Sequence, residues 1–554
     1  MPNPVSTWMH TLRWMPTTQL AALARDRVRR RLEDPARFAR RTPPPEPVLR
    51  HVPEPQAWSA PDQDAAALRA GRFRFLNRDR DVGWPPDWEA PGAPLLWTYN
   101  LHYFESLASL DFESGRELIL DWIARHPLRR GAAGWEPYPT SLRLQAWCGW
   151  LYGRHRERLQ GDAALRARVW PSLWLQAEWL GAHVEHHLRA NHLFENAAAL
   201  ALCGALFTGP GERWLRRGLA LLDRELREQI LADGVHYERS PLYHARLVGV
   251  MRQLDASGAP EIARRVSNRL LRMRAALACL SHPDGEIALL NDSAFGIAEA
   301  PASLGAVPED GSFALEEAGY YGARRAGHYL VCDAGPIGPD YQPGHAHGDL
   351  LSFELSLDGQ RVVVDAGVHG YDGDALRAWC RSTRAHNTVE IEGVDQCEFW
   401  STFRVARRAR PRDVRWSGDA DGFELSAWHD GYERLPGRPR HARRFRWQTS
   451  GVLEVRDRVT AQRPVRSVSR LHLHPDCVVE ETGERSVRVV HPRGAFRVVF
   501  EGEGALRVEA STWCPEFGLR RESRALAFES AGAETETCFR IERTGAGRTG
   551  GAEG

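Results

Sequence analysis

The sequence predicts a multidomain α+β fold, with an N-terminal (α/α) toroid followed by a C-terminal antiparallel β-sandwich. Apolar residues follow a helical period between about residues 100 and 300, and they alternate with polar residues after about residue 315. Gly, Asp and Pro separate the alternating segments at short intervals, as in a sheet of many short strands. The chain has 554 residues, of which 43% are hydrophobic and 26% charged, so it has ordinary globular composition and can bury a sizeable core.

The helical part is predicted from amphipathic segments such as 116–126, 214–231 and 261–280. Such segments recur every 25–30 residues with no strand pattern between them, which is typical of stacked helix pairs in a solenoid or a closed toroid. No strict sequence repeat is visible, and we therefore favour the toroid. We place this domain at residues 57–312.

The second part contains many segments with period two, for example 328–335 and 350–359. Short alternating strands punctuated by turn residues are typical of a large antiparallel sandwich, which we place at residues 313–543. The Gly-rich residues 544–554 are predicted to form a flexible tail.

The first 56 residues are predicted to form a basic arm and a linker. Residues 24–41 hold eight Arg against three acidic residues, and the Pro-rich stretch 42–48 follows. Such an arm suits contact with an anionic membrane or polymer, or it forms a solvated helix that packs through the aliphatic stems of its arginines.

The sequence contains no Lys, so all 73 basic side chains are Arg. The absence of lysine argues against several classes of protein that need its side-chain amine. These are enzymes that use Schiff-base catalysis, pyridoxal-phosphate enzymes, Walker-A nucleotide-binding proteins and kinases. The net charge of +1 gives no whole-molecule argument for nucleic-acid binding, so we expect no nucleic-acid partner. Anions are expected to meet guanidinium groups, which favour bidentate contacts with carboxylate or sulfate.

The nine Cys are scattered without a CxxC pair, which indicates neither a disulfide framework nor a cysteine zinc site. The first thirty residues do not build the apolar stretch of a secretory signal, and we see no transmembrane segment. We therefore expect a cytoplasmic protein, with a periplasmic location and an oligomeric state left open.

A cluster of potential metal ligands precedes and follows a strand of the second domain. His345 and His347 lie two residues apart, so an extended backbone places both rings on one face. Asp365 ends the strand 18 positions after His347, and His386 follows 39 positions after it. The pair of histidines alone is also typical of a protein surface. Together, His347, Asp365 and His386 form an N/O ligand set suited to one structural zinc ion that orients a neighbouring group.

Two polar clusters interrupt the helical domain. Asn191 and His192 precede a strongly apolar helix, and Glu195 shares the helical face of Asn191. Helix capping and a satisfied core histidine are the alternative interpretation. In the second cluster, Ser240 as N-cap and Pro241 would place Tyr243 in the first turn of a helix, facing the toroid mouth.

These motifs resemble the heparinase II/III-like polysaccharide lyases, over about residues 95–460. The resemblance rests on seven segments in order: 99–107, 136–147, 190–200, 233–244, 282–293, 344–367 and 381–399. It implies that Asn191 caps a uronate carboxylate beside His192, and that Tyr243 and His345 are catalytic. It also implies that His347, Asp365 and His386 bind a metal.

The implied reaction is β-elimination in a uronate-containing polysaccharide. The C5 proton becomes acidic enough only when the adjacent carboxylate is neutralised, which is expected of Asn191 with His192 or an Arg. Tyr243 and His345 would then supply the base and the acid in an order that the sequence leaves open. Cations, with Arg239 and Arg246 as the nearest in sequence, are expected to lower the pKa of Tyr243.

Further residues are candidates for binding the anionic polysaccharide or oligosaccharide substrate: Trp135, Tyr138, Arg143, Glu195, Arg239 and Arg246. A chain without an export signal suits the metabolism of a cell's own exopolysaccharide. Two alternatives remain: a non-catalytic factor that binds or assembles polysaccharide, and a glycoside hydrolase. Hydrolysis would need two positioned carboxylates, for which Glu195, Glu238 and Asp292 are candidates.

Overall fold

A computed structural model describes residues 4–419, 422–448 and 450–544. The predicted tail lies outside these residues, apart from Thr544, which ends the last strand. The α-helices are α1 (Pro4–Leu12), α2 (Thr17–Leu32), α3 (Ala36–Ala39), α4 (Ala65–Arg69), α5 (Leu95–Tyr103), α6 (Phe112–Arg125), α7 (Pro137–Trp147), α8 (Arg156–Gly161), α9 (Ala163–Ala182), α10 (Ala190–Leu206), α11 (Pro210–Gln229), α12 (Pro241–Asp255), α13 (Pro260–Cys279) and α14 (Ala375–Arg381). Short 3₁₀ turns cover Glu105–Ser109, Ala133–Trp135 and Thr383–Ala385, and a π-helix covers Cys148–Arg154.

Helix α10 lies at the centre of the helical domain. It is buried along almost its whole length because its sequence is apolar on every face after Asn196. Helix α11 is amphipathic and packs one face against it. Two glycines allow the close approach: a Cβ on Gly204 would lie 2.2 Å from the Leu215 nitrogen, and one on Gly218 would lie 2.4 Å from the Ala201 nitrogen.

The strands are β1 (Arg72–Phe75), β2 (Arg78–Asp81), β3 (Gly311–Leu315), β4 (Tyr320–Arg325), β5 (His328–Asp333), β6 (Phe353–Leu357), β7 (Gln360–Val363), β8 (Val389–Ile391), β9 (Phe399–Ser401), β10 (Arg404–Val405), β11 (Pro411–Gly418), β12 (Gly422–His429), β13 (Arg440–Gln448), β14 (Val452–His472), β15 (Val478–Thr482), β16 (Ser486–His491), β17 (Gly494–Gly502), β18 (Ala505–Trp513) and β19 (Arg521–Thr544). Strands β1 and β2 form a hairpin within the N-terminal half, and β9 and β10 form a second hairpin.

The remaining strands form two antiparallel sheets. The smaller has the order β3-β4-β5-β6-β7, and the larger has the order β11-β12-β13-β14-β19-β17-β16-β15, with β8 also paired to β14 and β18 to β19. Phe353 and Leu355 of the smaller sheet share one apolar cluster with Phe445 and Phe539 of the larger, so the sheets face each other across a core. A helical first part and an antiparallel second part confirm the predicted fold class.

The N-terminal arm contacts both halves of the molecule. In α1, the Trp8 ring lies 4.8 Å from that of Trp400 in β9, and the Thr11 hydroxyl accepts a hydrogen bond from Trp400 Nε1. In α2, Arg30 donates two hydrogen bonds to Glu136 at the start of α7. Within the described ranges, no helix combines the length and the apolar character needed to cross a bilayer.

Candidate active site

Ser240 joins the segments that meet at the interface between the helical domain and the sandwich. As predicted, it caps α12: its hydroxyl accepts a hydrogen bond from the Tyr243 backbone nitrogen at 3.2 Å, and Pro241 starts the helix. The same hydroxyl donates to the Asp292 carbonyl at 2.6 Å. The Asp292 nitrogen in turn donates to the His345 carbonyl at 3.0 Å. Local helix capping therefore fixes Tyr243 relative to His345.

Tyr243 and His345 lie against each other across the interface. Their ring centroids are 4.0 Å apart with an interplanar angle of 29°, which is a stacked arrangement. The Tyr243 hydroxyl is 2.9 Å from that of Tyr371, so either phenol can donate to the other. A helix-borne phenol and a sandwich-borne imidazole thus lie in contact at the interface between the two domains.

The orientation of the His345 ring is set by Asp292. His345 Nδ1 donates to Asp292 Oδ2 at 2.9 Å. In the neutral ring this leaves the lone pair on Nε2, which lies 4.0 Å from Glu238 Oε1. His345 therefore presents a basic nitrogen toward Glu238.

Asn191 and Glu238 form a buried amide–carboxyl pair beside His345. Asn191 Nδ2 donates to Glu238 Oε2 at 2.9 Å, and Glu238 Oε1 has no hydrogen-bond partner among the described residues. Burial raises the pKa of Glu238, and the nearby His345 and Asn191 offset only part of that shift. We call Asn191, His192, Glu238, Tyr243 and His345 the cleft-side cluster.

His192 is the most exposed member of this cluster, with 35% of its side chain accessible. Its ring packs 4.3 Å from that of Tyr138, and its Nδ1 is 3.2 Å from Glu185 Oε1. Desolvation lowers the pKa of His192, but the Glu185 carboxylate outweighs it and the net shift is upward. The surrounding carboxylates therefore favour the protonated ring more than in an ordinary histidine.

The expectation that nearby cations lower the pKa of Tyr243 is wrong. Burial raises the pKa of this phenol above its usual range, and Asp292 and Glu238 add to the shift. Arg246 opposes it weakly because that guanidinium faces Glu105 at 3.3 Å. Arg239 is turned away and donates to the carbonyls of Ala318, Tyr237 and Glu317. Tyr243 is consequently a neutral phenol at neutral pH.

The three predicted metal ligands come together and are fully buried. One ligand atom from each of His347, Asp365 and His386 lies within 4.8 Å of the others. His347 Nδ1 and His386 Nε2 have no hydrogen-bond partner among the described residues. Unpaired ring nitrogens at buried positions fit a metal, since a buried polar atom without a partner is otherwise costly. With Asp292 and Arg377, we call these residues the metal-side cluster.

Asp292 connects the two clusters. Its Oδ1 accepts from His347 Nε2 at 2.8 Å, and its Oδ2 accepts from His345 Nδ1. Both guanidinium nitrogens of Arg377 also bind this carboxylate. Burial alone would raise the pKa of Asp292, but Arg377 and the two histidines hold it well below the usual range. An ionised Asp292 therefore fixes the candidate metal ligand His347 and the candidate catalytic residue His345 at once.

Three further candidates for substrate binding, Arg143, Trp135 and Glu195, are buried in the helical domain. Arg143 is completely buried, lies 4.0 Å over the Trp122 ring and donates to Gln176, while Trp135 is buried beside it. These contacts make both residues part of the helical core. Glu195 is buried and accepts a hydrogen bond from Gln145 at 2.6 Å.

Sequence reasoning missed three residues of the site. Tyr371 and Arg377 follow β7 and Asp365 in the chain, and Glu185 precedes α10; none carries a motif of its own. Asp292 and Glu238 were considered only as carboxylates for hydrolysis. The adjacent Asn291 and Asp292 at the domain change were the available signal for the link between the clusters.

Comparisons with known proteins agree with this architecture. The heparinase II/III N-terminus family model matches residues 119–301, and the heparinase II/III-like C-terminal model matches residues 307–542. A heparin-sulfate lyase of Pedobacter heparinus is 25% identical over 373 residues, covering 58% of this chain and 55% of that protein. A heparin-sulfate lyase of Bacteroides stercoris is 23% identical over 389 residues, covering 58% of each chain. The chain thus matches less than two thirds of either relative's length.

Solved structures show the same fold. A heparinase III structure superposes with a TM-score of 0.70 at 16% identity, covering 92% of this chain and 89% of the other. A mutant heparan sulfate lyase of Pedobacter heparinus gives 0.61 at 20% identity, covering 95% and 88%. With both family models matched in order along most of its length, the chain belongs to the heparinase II/III-like family.

Proposed function

We propose that this protein is a polysaccharide lyase that cleaves a uronate-containing polymer by β-elimination. The stacked pair of Tyr243 and His345 beside Asn191 is the observation that carries the proposal. Relatives described as heparin-sulfate lyases support the same reaction class.

Neutralising the substrate carboxylate is the first requirement of the reaction. The Asn191 amide and the His192 cation donate hydrogen bonds to that carboxylate as the C5 carbanion develops. In its protonated form Glu238 adds a third donor: burial raises its pKa, which favours that form, and its Oε1 has no partner among the described residues. Each donor then stabilises the enolate-like intermediate more than the ground state.

The two proton transfers follow from the surroundings of His345 and Tyr243. His345 Nε2 takes the C5 proton, since Nδ1 already donates to Asp292. The C5–H electron pair forms the C4=C5 double bond, and the C4–O bond breaks. Tyr243 gives its proton to the leaving oxygen because its raised pKa retains that proton at neutral pH. Tyr371 then donates to the Tyr243 phenolate.

We propose one structural zinc ion held by His347, Asp365 and His386. The support is the buried N/O donor set and its two unpaired ring nitrogens. When bound, zinc supplies a fixed positive centre that holds both imidazoles. Asp292 binds His347 through one carboxylate oxygen and His345 through the other, so a fixed His347 also fixes the position of His345.

The cleft favours a polymer of low sulfate content. Three of the guanidinium groups near the cleft-side cluster are engaged by carboxylates: Arg246 by Glu105, Arg189 by Glu228 and Arg377 by Asp292. A densely sulfated chain needs free cations, since unpaired buried charge is costly. We therefore expect a polymer with carboxylates as its main charge to be the better substrate.

The surroundings of the three candidate carboxylates favour elimination over hydrolysis. A hydrolase needs one carboxylic acid and one free carboxylate facing the same bond. Asp292 is bound by Arg377, His345 and His347, and Glu195 is bound by Gln145. Glu238 is bound by Asn191 through one oxygen, and burial raises the pKa of both Glu195 and Glu238, which disfavours the ionised carboxylate that a hydrolase needs beside its acid.

The test is a product assay on a panel of unsulfated and sulfated glycosaminoglycans, alginates and bacterial exopolysaccharides. We expect at least one unsulfated polymer to give the ultraviolet absorbance of an unsaturated uronate, and a Tyr243→Phe/His345→Ala double variant to give none. New reducing ends without that absorbance would establish hydrolysis. Polymer binding without any cleavage, unchanged in the double variant, would establish a binding or assembly factor.

A further inference from the structure

The N-terminal arm, residues 4–41, exposes an unusual share of large apolar side chains. Fourteen such side chains are exposed in the described chain, and five of them lie between residues 8 and 32. They are Trp8, Met9, Leu12, Val28 and Leu32, with exposed fractions of 43–79%. A soluble surface normally scatters such residues singly, so a concentration of them marks a contact surface.

One face of helix α1 packs against the rest of the protein, and another face is exposed to solvent. Thr7 and Thr11 are buried, and Thr11 accepts the hydrogen bond from Trp400. Met9 and Leu12 lie on a different arc of the helix and point outward, with exposed fractions of 66% and 43%. The solvent-facing side of α1 therefore carries apolar side chains, although the opposite side already packs against the protein.

Helix α2 adds positive charge to the same arm. Arg29 and Arg30 are paired with Asp26, and Arg30 also with Glu136. Arg25, Arg27 and Arg31 are exposed and form no ion pair with any residue in the described ranges. Three free guanidinium groups next to exposed Val28 and Leu32 give a basic amphipathic surface.

We propose that the N-terminal arm docks on an anionic lipid bilayer. The free guanidinium groups meet headgroup phosphates, and the apolar side chains of α1 and α2 enter the boundary between headgroups and acyl chains. A hydrated anionic polysaccharide would satisfy the arginines but would leave Met9, Leu12 and Leu32 in water. The exposed apolar residues therefore favour a bilayer over a polymer.

Docking would place the reaction cleft next to the bilayer. The arm contacts the β9–β10 hairpin, whose Phe403 packs 6.2 Å from the His345 ring. On the other side, Gln19 donates to the His187 carbonyl, a few residues before Asn191. The arm thus borders both walls of the cleft, and bilayer binding would bring the cleft to polymer held at a membrane.

The experiment is flotation of the full chain with vesicles of phosphatidylcholine alone or mixed with phosphatidylglycerol in equal amounts. We expect binding to the anionic vesicles, weakened by salt, and little binding to the neutral ones. Met9→Glu/Leu12→Glu and Arg25→Glu/Arg27→Glu/Arg31→Glu should each lower the partition coefficient by at least about tenfold.

Matched controls carry the same chemical changes outside the arm. Leu271→Glu alters an exposed leucine of α13, and Arg415→Glu/Arg497→Glu/Arg520→Glu alters exposed arginines without ion pairs in the described chain. The controls should bind like the parent, and every variant should keep its melting temperature and its activity on a short soluble oligosaccharide. Absence of anionic vesicle binding, equal losses in the controls, or arm-dependent retention on immobilised polysaccharide without vesicle binding would overturn the proposal.

Discussion

The two clusters of the site differ in how much of their histidine side chains solvent can reach. In the metal-side cluster, the side chains of Asp292, His347, Asp365 and His386 have no accessible surface. In the cleft-side cluster, His345 keeps 13% and His192 keeps 35% of its side chain accessible. The contrast fits the proposed mechanism, in which the buried cluster positions side chains and the accessible imidazoles contact the substrate.

The largest expected effect comes from removing either proton-transfer group. Tyr243→Phe and His345→Ala should each lower kcat by about 10²–10⁴-fold, the usual contribution of a positioned acid or base. Tyr371→Phe is the matched control, since it removes only the hydroxyl that contacts Tyr243 and should lower kcat by less than about tenfold. Steady-state kinetics measure kcat for the three variants and the parent. A Tyr243→Phe protein with full turnover would remove Tyr243 from the mechanism.

Asp292→Asn should damage both clusters at once. It leaves the buried Arg377 without its counter-charge and loosens His345 and His347. Removing one partner of a buried ion pair costs about 3–5 kcal/mol, so urea unfolding should show a large loss of stability together with lower kcat. The pKa of Asp292 is depressed, so its contribution to stability is present above its unfolded pKa and is lost as the pH falls through its folded pKa.

An Asp292→Asn protein that keeps the stability and kcat of the parent would show that the clusters are not coupled through this carboxylate. Arg384→Gln offers a comparison: its guanidinium has no ion pair among the described residues, and we expect little change in stability.

Loss of metal should lower stability more than it alters substrate affinity. Chelation, or His386→Ala, should abolish bound zinc in elemental analysis and lower the melting temperature, since a ligand that binds only the folded state stabilises it. His491→Ala is a matched control, because His491 is also buried with two unpaired ring nitrogens but lies outside the ligand set. It should lower the melting temperature without changing the zinc content. Equal zinc content in the His386→Ala protein would contradict the assigned ligands.

The smallest expected effect concerns Glu238. Because burial raises its pKa, the protonated form persists to a higher pH than for an ordinary Glu, and kcat/KM should fall as the pH rises through that pKa. Glu238→Gln keeps a donor without a titrating proton, so that decline should disappear from the pH profile while activity at neutral pH is kept. The exposed Glu113→Gln should leave the profile unchanged. Inactivity of Glu238→Gln at every pH would mean that an ionised Glu238 is needed.

The sequence predicted those parts of the site that depend on local rules. The cap at Ser240 and the first-turn position of Tyr243 follow from residue types that start helices, and residue types and spacing predicted that His347, Asp365 and His386 lie together. The family resemblance led us to expect Tyr243 and His345 close together, and their rings are in contact at the domain interface.

Features that depend on distant contacts were not predicted. The role of Asp292 requires three segments to meet, and the raised pKa of Tyr243 depends on burial, which residue spacing does not reveal. The β1–β2 hairpin was also missed, although Leu76 and Asn77 both have φ near 56° and form its tight turn. The contacts of the N-terminal arm with both domains likewise join residues several hundred positions apart.

Loss of the C5 hydrogen tests the central claim most directly. A cleavable polymer labelled with deuterium at C5 of the uronate would be digested and its products analysed by mass spectrometry and NMR. Elimination through His345 and Tyr243 predicts an unsaturated product that has lost the C5 deuterium to solvent and gained no solvent oxygen. A saturated product that keeps the deuterium and carries one oxygen from labelled water would contradict the account.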